Sequence, residues 1–294
     1  MNWDLEKAHW PHAQYSRFVR VRPHQWHVQR QGSGPGLLLL HGAAASLHSF
    51  ADLIPRLTDR YDVMAVDLPG HGFTTKGSAM RSSLTSVSSD LATLLDHEGF
   101  SPQCIVGHSA GAAVALDLSL RLPDPPKAVV AINGAFAEFD GVAGWLFPML
   151  AKLLALNPFT SLFFASTTTP RNVSQLIAAT GSELSDVQLR LYYRLIRDRA
   201  HVAGALAMMA QWDLRPLIAR LGDFDIPTLL LTGDRDKAVA PAVSRDAAAR
   251  MPNALWKSMP ALGHLMHEER PDLVAEVILD FLADPISAQT QGAA

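Results

Sequence analysis

Cysteine and long apolar runs are scarce in this sequence, and each shortage excludes a class of protein. The 294 residues include a single cysteine, Cys104, so an intrachain disulfide is impossible. Cys104 begins a short apolar run, where a small buried thiol is expected. The most apolar segment, residues 142–164, is interrupted by prolines, a lysine and an asparagine before it reaches the ~20 apolar residues of a membrane-spanning helix. The sequence therefore predicts no membrane span.

Charge of one sign is scarce as well. The net charge is -3 with neutral histidines, and no run of lysine or arginine occurs, which argues against nucleic acid as a partner. The first residues contain no apolar signal segment, so a cytoplasmic protein is expected. Hydrophobic residues make up 48% of the chain, enough to bury a large core. The length suits one large α/β domain with an insertion, or two small domains.

Short apolar runs alternate with helical segments along most of the chain. Residues 17–31 alternate apolar and polar side chains, which predicts a pair of antiparallel entry strands. Further strands are predicted at 37–40, 63–66, 104–106, 128–132, 228–231 and 255–259. Helices are predicted at 50–57, 84–97, 111–122, 243–251 and 271–282. This alternation predicts an α/β fold with a mainly parallel sheet of about eight strands flanked by helices.

The alternation stops between residues 135 and 225, where helical patterns rich in aromatic residues and methionine contain no convincing strand. We interpret 135–225 as a helical cap above the edge of the sheet where ligands bind in open α/β folds. The core is then 1–134 and 226–284, followed by a polar C-terminal tail at 285–294. Most cap aromatics are expected to be cap core, and the candidates for lining a substrate pocket are Trp145, Phe163, Met208, Met209 and Trp212.

The sequence Gly-His-Ser-Ala-Gly at residues 107–111 stands between a predicted strand and a predicted helix. In that context G-x-S-x-G is typical of a nucleophile elbow. The glycines are required because a sharp strand-to-helix turn brings the residues two before and two after the serine close together. The strained turn also exposes the serine hydroxyl. Ser109 is therefore the candidate nucleophile.

A serine nucleophile needs a general base, and the base needs an acid that orients it. In this arrangement the chain order is serine, then aspartate or glutamate, then histidine. Asp236 follows the strand at 228–231, and His264 follows the last predicted strand. Asp234, two residues nearer its strand, is the alternative acid, and the longer loop to Asp236 favours Asp236. The sequence predicts a Ser109–His264–Asp236 triad.

Acyl transfer also needs donors for the developing oxyanion. The candidates are the backbone amides of Ala110, directly after the nucleophile, and Ala43, in the loop after the strand at 37–40. Residues 264–269 bring two histidines and two glutamates together, but H-x-x-H-E-E is not a recognised zinc spacing. No metal and no cofactor are expected.

Four motifs together resemble the α/β-hydrolase superfamily over nearly the whole chain. They are His-Gly at 41–42, Asp-Leu-Pro-Gly-His-Gly at 67–72, the elbow at 107–111 and Gly-His at 263–264. More narrowly, the sequence resembles the magnesium-chelatase accessory α/β-hydrolases of bacteriochlorophyll synthesis, the BchO family. This narrower resemblance is carried by residues 10–11, 16–18, 26–29, 107–113, 207–214 and 263–269. Met-Met-Ala-Gln-Trp-Asp-Leu, within 207–214, is the most specific, because cap sequences diverge quickly in this superfamily.

The resemblance implies the α/β-hydrolase fold and a role in the magnesium branch of tetrapyrrole synthesis in a phototrophic bacterium. It implies a magnesium-porphyrin as a candidate small-molecule substrate and magnesium chelatase as a candidate partner. Two hypotheses about function remain. The first is a serine hydrolase acting on an ester-like small molecule such as a porphyrin methyl ester. The second is a non-catalytic protein that binds or handles a tetrapyrrole on a hydrolase fold. Serine rather than aspartate at position 109 disfavours dehalogenase and epoxide hydrolase chemistry, and the complete triad favours the enzyme.

Overall fold

An eight-stranded sheet forms the centre of the structure, a computed structural model that describes residues 1–78, 81–137 and 158–285. The strand order is β1-β2-β4-β3-β5-β6-β7-β8. The strands are β1 (Ser16–Val21), β2 (His24–Gly32), β3 (Gly36–Leu40), β4 (Asp62–Val66), β5 (Pro102–His108), β6 (Ala128–Ile132), β7 (Thr228–Gly233) and β8 (Ala254–Met259). Strand β2 runs antiparallel to β1 and β4, and every other pairing is parallel. The predicted mainly parallel, eight-stranded sheet is confirmed.

Strand β3 shows why the apolar runs form central strands. Its four leucines, residues 37–40, are fully buried. Leu38 and Leu40 pack in one apolar core, and Leu37 and Leu39 pack in a second core on the opposite face of the sheet. Successive side chains of a strand point to opposite faces, so a continuous apolar run fills both cores at once.

The helices of residues 1–137 and 215–285 cover the sheet. They are α1 (Trp3–Glu6), α2 (Ile54–Leu57), α3 (Leu84–Glu98), α4 (Ala110–Ser119), α9 (Arg215–Ala219), α10 (Pro241–Ala248), α11 (Met266–Glu269) and α12 (Pro271–Ala283), with short 3-10 turns at Lys7–His9, Ala13–Tyr15, Leu47–Phe50 and Leu221–Asp223. Helices α3 and α4 supply side chains to the core that contains Leu38. Helices α2 and α12 supply the core that contains Leu39.

The helix predicted over residues 50–57 is wrong in its extent. The chain instead forms the 3-10 turn Leu47–Phe50, capped by the Ser46 side chain, and the four-residue helix α2. Pro55 lies in the first turn of α2. Proline lacks a backbone N–H and fits there, whereas in a helix interior it would remove a hydrogen bond and clash with the preceding turn.

Four helices lie between β6 and α9 in the described residues of that interval, and these residues contain no strand. They are α5 (Pro158–Thr167), α6 (Pro170–Ala179), α7 (Asp186–Ile196) and α8 (Arg199–Gln211), called the cap helices below. We propose that they belong to a cap unit spanning 135–225, with residues 1–134 and 226–284 as the core. Most of the predicted tail at 285–294 lies outside the described residues. Among the residues described, no helix combines the length and apolar character needed to cross a membrane.

The topology brings the candidate functional residues to one edge of the sheet. Strands β3, β5, β6, β7 and β8 are parallel, so their carboxyl ends lie on the same side. Ala43, Ser109, Asp236 and His264 each follow one of these strands. Ligands bind at this edge in open α/β sheets.

Candidate active site

Ser109 occupies a sharp turn between β5 and α4. Its backbone has φ 52° and ψ -117°, a conformation rare for any residue other than glycine. A Cβ on Gly107 would overlap the carbonyl oxygen of Gly111, and a Cβ on Gly111 would overlap that of Leu40. Both positions therefore require glycine, as expected from the steric argument for this turn.

Backbone hydrogen bonds hold Ser109 in place. Ser109 N donates to Ile132 O at 2.9 Å, and Ser109 O accepts from the amide of Ala135 at 3.2 Å. Within the described residues, the amides of Ala43 and Ala110 donate no hydrogen bond. Ala110 is the first residue of α4, where an N–H has no partner inside the helix. These are the two amides that the sequence assigns to an oxyanion hole.

The loop after β3 lies directly against the serine. A Cβ built on Gly42 would lie 3.0 Å from Ser109 Cβ and 2.8 Å from His108 Nδ1. Glycine at position 42 therefore lets the loop that contains Ala43 approach Ser109 closely.

His264 and Asp236 are hydrogen-bonded, with 2.8 Å between His264 Nδ1 and Asp236 Oδ2. Both residues are buried, at 8% exposure each. Because Nδ1 donates to the carboxylate, the lone pair of the neutral ring is on Nε2, the nitrogen that a general base uses. Asp234 is exposed and accepts instead from the amide of Ala261 at 2.7 Å.

Ser109 Oγ makes no hydrogen bond to His264 in the described part of the chain. Contacts between a nucleophile and its base often become short and aligned only when substrate binds. The structure thus brings His264 and Asp236 into contact, with Ser109 on the adjacent loop.

Asn133, which sequence reasoning missed, supports the acid. Its Nδ2 donates to Asp236 Oδ2 at 2.6 Å, and Asp236 Oδ1 accepts from the amides of Ala238 and Val239 at 2.8 and 2.9 Å. With His264, the buried carboxylate accepts four hydrogen bonds, which fix its position beside the imidazole. Asn133 has φ 47°, a region that asparagine tolerates better than most residues. A polar residue directly after a buried strand was the only sequence signal for it.

His108 fixes the histidine loop to the elbow. Its Nε2 donates to the carbonyl oxygen of His264 at 2.9 Å, and the two ring centroids are 4.7 Å apart. His108 precedes Ser109 in the chain, so the same turn that presents the serine also holds the backbone of His264. The sequence contained this histidine in its motif, but only the fold shows its partner.

The turn after cap helix α6 contacts both loops. Thr180 O accepts from the amides of Lys237 and His264 at 3.0 and 3.4 Å. Ser182 Oγ accepts from the amide of Leu265 at 2.8 Å. The cap segment therefore stabilises the loops that carry the acid and the histidine.

The candidate pocket residues have different environments. Met208 is buried in the apolar core that contains Leu38, and Trp212 is half-buried against it. Phe163 and Met209 are 62% and 41% exposed. Trp145 lies outside the described residues. The described residues include no group of three or more histidine, cysteine or acidic side chains able to hold a metal ion.

A family described as the alpha/beta hydrolase fold matches residues 35–271. The chain belongs to this family. The matched residues begin just before β3 and include all the candidate site residues named above. The superfamily resemblance expected from the motifs is confirmed.

Two curated proteins extend this α/β-hydrolase assignment. The chain is 42% identical to the magnesium-chelatase 30 kDa subunit of Rhodobacter capsulatus over 278 residues, 94% of this chain and 97% of that protein. It is 30% identical to the pimeloyl-[acyl-carrier protein] methyl ester esterase of Xanthomonas campestris pv. campestris over 87% of this chain and 98% of that protein. The narrower resemblance to chelatase-associated hydrolases is confirmed by the first of these.

A solved structure agrees with the fold. An α/β-hydrolase-fold protein from Burkholderia ambifaria superimposes with a TM-score of 0.75 at 23% identity, covering 90% of this chain and 97% of that one. At this identity the likeness concerns the fold alone.

Several histidines of the structure are buried. Burial lowers the pKa to about 3 for His41 and His267, to about 4 for His48 and His71, and well below the usual value for His108 and His201. Burial raises the pKa of Glu268 to about 8, and Tyr192 donates to its carboxyl group at 2.6 Å. At neutral pH these side chains are therefore uncharged in the folded protein.

We predict that the free energy of unfolding falls as the pH drops below 6.5. There the unfolded chain binds protons at six histidines that stay neutral in the fold, and each proton changes stability by ~1.4 kcal/mol per pH unit. Glu268 acts in the opposite direction between pH 4.5 and 8, because only the unfolded chain ionises it there. The six histidines outweigh Glu268, so the free energy of unfolding should fall by about 5 kcal/mol from pH 6.5 to 5.5. Urea unfolding at each pH measures this change.

A matched pair of variants isolates one histidine. Neither ring nitrogen of buried His267 has a hydrogen-bond partner among the described residues, so His267→Leu removes a titrating group without breaking a hydrogen bond. This variant should reduce the loss of unfolding free energy by ~1 kcal/mol, and His97→Leu, at an exposed position, serves as the surface control. Stability independent of pH in this range would contradict the prediction.

Proposed function

We propose that this chain is a serine hydrolase that cleaves an ester of a small molecule. Ser109 is the nucleophile, His264 the general base and Asp236 the acid that orients it. The observation that carries the proposal is the 2.8 Å hydrogen bond between His264 Nδ1 and Asp236 Oδ2 beside a strained serine elbow. A serine held in this strained backbone conformation is a costly feature of the kind that clusters at active sites.

The proposed reaction proceeds in two steps. Ser109 Oγ attacks the ester carbonyl carbon while His264 Nε2 takes the hydroxyl proton, and the alcohol then leaves with that proton. Water next attacks the acyl-enzyme and loses a proton to His264, which returns it to Ser109 Oγ as the bond to the acyl carbon breaks and the acid product departs. Asp236 stays ionised throughout and stabilises the imidazolium.

The amides of Ala43 and Ala110 would bind the oxyanion that forms in both steps. Their N–H groups have no partner among the described residues and belong to two segments that meet at Ser109. Backbone donors fixed before the reaction stabilise the charge without reorganising, and one such donor contributes about 3 kcal/mol to transition-state stabilisation.

Two relatives support a choice of substrate. One is named a methyl ester esterase and the other a subunit of magnesium chelatase. We therefore propose a magnesium-porphyrin methyl ester as the substrate, an accessory role in magnesium insertion for bacteriochlorophyll, and magnesium chelatase as a partner. Apolar cap side chains would contact the ring; the candidates are Trp145, Phe163, Met208, Met209 and Trp212.

We predict that a fluorophosphonate labels wild type at Ser109 and that Ser109→Ala abolishes this labelling. The same variant should lower kcat on p-nitrophenyl acetate by about 10⁶-fold, the scale of losing a triad nucleophile. Ser101→Ala, in an exposed loop, is the matched control and should behave as wild type. Peptide mass spectrometry and initial rates give both readouts. Equal rates for wild type and Ser109→Ala would refute the catalytic proposal.

A second prediction separates the two candidate acids. Asp236→Asn should lower kcat by about 10⁴-fold, because the amide no longer stabilises the correct tautomer and charge of His264. Asp234→Asn should change kcat little, since Asp234 contacts Ala261 rather than the histidine. Steady-state kinetics on p-nitrophenyl acetate measures both. A larger loss in Asp234→Asn would reverse the assignment.

The second candidate function is a protein that binds a tetrapyrrole for the chelatase without catalysis. It is favoured by the name of the Rhodobacter capsulatus relative, a subunit of a chelatase rather than a hydrolase. Under this hypothesis the triad is present but unused.

The fate of a bound magnesium-porphyrin methyl ester distinguishes the two functions. Ser109→Ala leaves the apolar walls intact, so wild type and variant should both bind it with Kd ~1 µM, about -8 kcal/mol, seen as quenching of tryptophan emission. An enzyme converts the ester to the free acid in wild type only, whereas a handling protein returns it unchanged from both. Mass spectrometry of the recovered pigment decides. No binding to either protein would refute the tetrapyrrole assignment and leave the serine-hydrolase proposal standing.

A further inference from the structure

One cap side chain reaches the loop that carries Ala43. His201, in the first turn of α8, is 2% exposed. Its Nδ1 accepts from the amide of Gly72 at 3.0 Å, so the ring proton is on Nε2. Nε2 in turn donates to the carbonyl oxygen of Ala44 at 3.2 Å. The imidazole thus connects three segments that are distant in the sequence.

The residue that His201 holds has an unfavourable backbone conformation. Ala44 has φ 59°, in the left-handed region that glycine and asparagine prefer. The amide of Ala45 donates to Gly42 O at 3.2 Å, which closes a turn with Ala43 and Ala44 at its centre. An alanine keeps this conformation only when its surroundings impose it. His201 supplies that restraint on the Ala44 carbonyl, one residue from the Ala43 N–H.

The backbone of α8 fixes the position of the imidazole. His201 N donates to Asp198 Oδ1 at 2.9 Å, which caps the helix. Gly204, one turn further along, packs against Gly70: a Cβ on Gly70 would lie 2.9 Å from Gly204 Cα, and a Cβ on Gly204 would overlap the Gly70 carbonyl oxygen. Helix and loop therefore approach as closely as two glycines allow, and a side chain at 204 would separate them.

Burial keeps the ring neutral, and the contacts to Gly72 and Ala44 select its tautomer. Burial lowers the pKa of His201 well below the usual value. The His71 ring, whose centroid lies 5.4 Å from that of His201, also lowers this pKa, because positive charges on both rings would repel each other. A neutral ring can accept from Gly72 and donate to Ala44 at the same time, whereas a protonated ring could only donate.

We propose that His201 is a positioning residue of the oxyanion hole: its hydrogen bond to the Ala44 carbonyl sets the turn that aims the Ala43 N–H at the reacting carbonyl. The inference rests on the proposed serine-hydrolase function and deepens it. His201 touches no reacting atom. Its effect passes through the backbone of Ala44.

Two amide variants separate the two hydrogen bonds of the ring. In His201→Gln the longer side chain can place an N–H near the position of Nε2 and keep the bond to Ala44. In His201→Asn the shorter side chain can place its oxygen near the position of Nδ1 and keep only the bond from Gly72. We expect His201→Gln to retain most of the wild-type kcat on p-nitrophenyl acetate, and His201→Asn to lose about 10²-fold. The loss should lie in kcat with KM little changed, because the oxyanion exists only after attack.

Gly204→Ala tests the same contact without altering the imidazole. It should move α8 away from the loop, lengthen the bond to Ala44 and lower kcat about 10-fold. The rate at which a fluorophosphonate modifies Ser109 should fall in the same order across the variants, since its phosphoryl oxygen uses the same donors. Thermal unfolding of each variant reports whether it is folded.

His24 provides the matched control. It is buried, and its two nitrogens bridge Thr75 O at 2.8 Å and Asp90 Oδ2 at 2.9 Å, away from the turn at Ala43. His24→Gln and His24→Asn should reduce stability without lowering kcat of the folded protein. If His201→Asn and His201→Gln lose kcat equally, or only in proportion to their unfolded fraction, the inference is overturned while the proposed function stands. If wild type itself neither reacts with fluorophosphonate nor hydrolyses the ester, the proposed function fails and the inference fails with it.

Discussion

The turn at Ser109 is the constraint on which the rest of the site depends. A residue with φ 52° and ψ -117° is held between β5 and α4 by hydrogen bonds to Ile132 and Ala135 and by two glycines that leave no room for a side chain. The same turn frees the Ala110 amide and places His108 where it binds the His264 carbonyl. Strain of this kind persists only where the surroundings impose it, which is why strands, loops and helix converge on this residue.

The cap helices and the turn after α6 hydrogen-bond the loops of the candidate site. Thr180 and Ser182 hydrogen-bond the backbones of the acid and histidine loops, and His201 hydrogen-bonds the loop that holds Ala43. Because these contacts are buried and directional, a change in the cap would alter the positions of groups near Ser109 as well as the shape of the pocket. Under the proposed function, substrate selection and the alignment of the catalytic groups would therefore depend on the same segment.

Membership of the α/β-hydrolase family explains the architecture but does not specify the reaction, which depends on the residues of the site. The fold supports many activities, so the case for ester hydrolysis stands on Ser109, His264, Asp236 and their hydrogen bonds. A relative with 42% identity is named for a chelatase and one with 30% identity for an esterase. The two names are compatible if the chain processes an ester on a pigment that the chelatase also handles. An esterase requires Ser109 to act as a nucleophile, whereas a protein that only binds the pigment does not.

Local sequence patterns predicted the sheet, most helices and the elbow, because strand periodicity, helix periodicity and glycine sterics act between residues close in the chain. Even there, α2 begins at Ile54, with Pro55 in its first turn, where a longer helix was expected over 50–57. The candidate triad followed from chain order, but the preference for Asp236 over Asp234 was only an argument from loop length. The tertiary structure alone decided which residues support the site. Asn133 lies 103 positions from Asp236, Ser182 lies 83 from Leu265, and His201 lies 157 from Ala44. No local period encodes such pairs, since they form only when the sheet and the cap helices bring distant segments together.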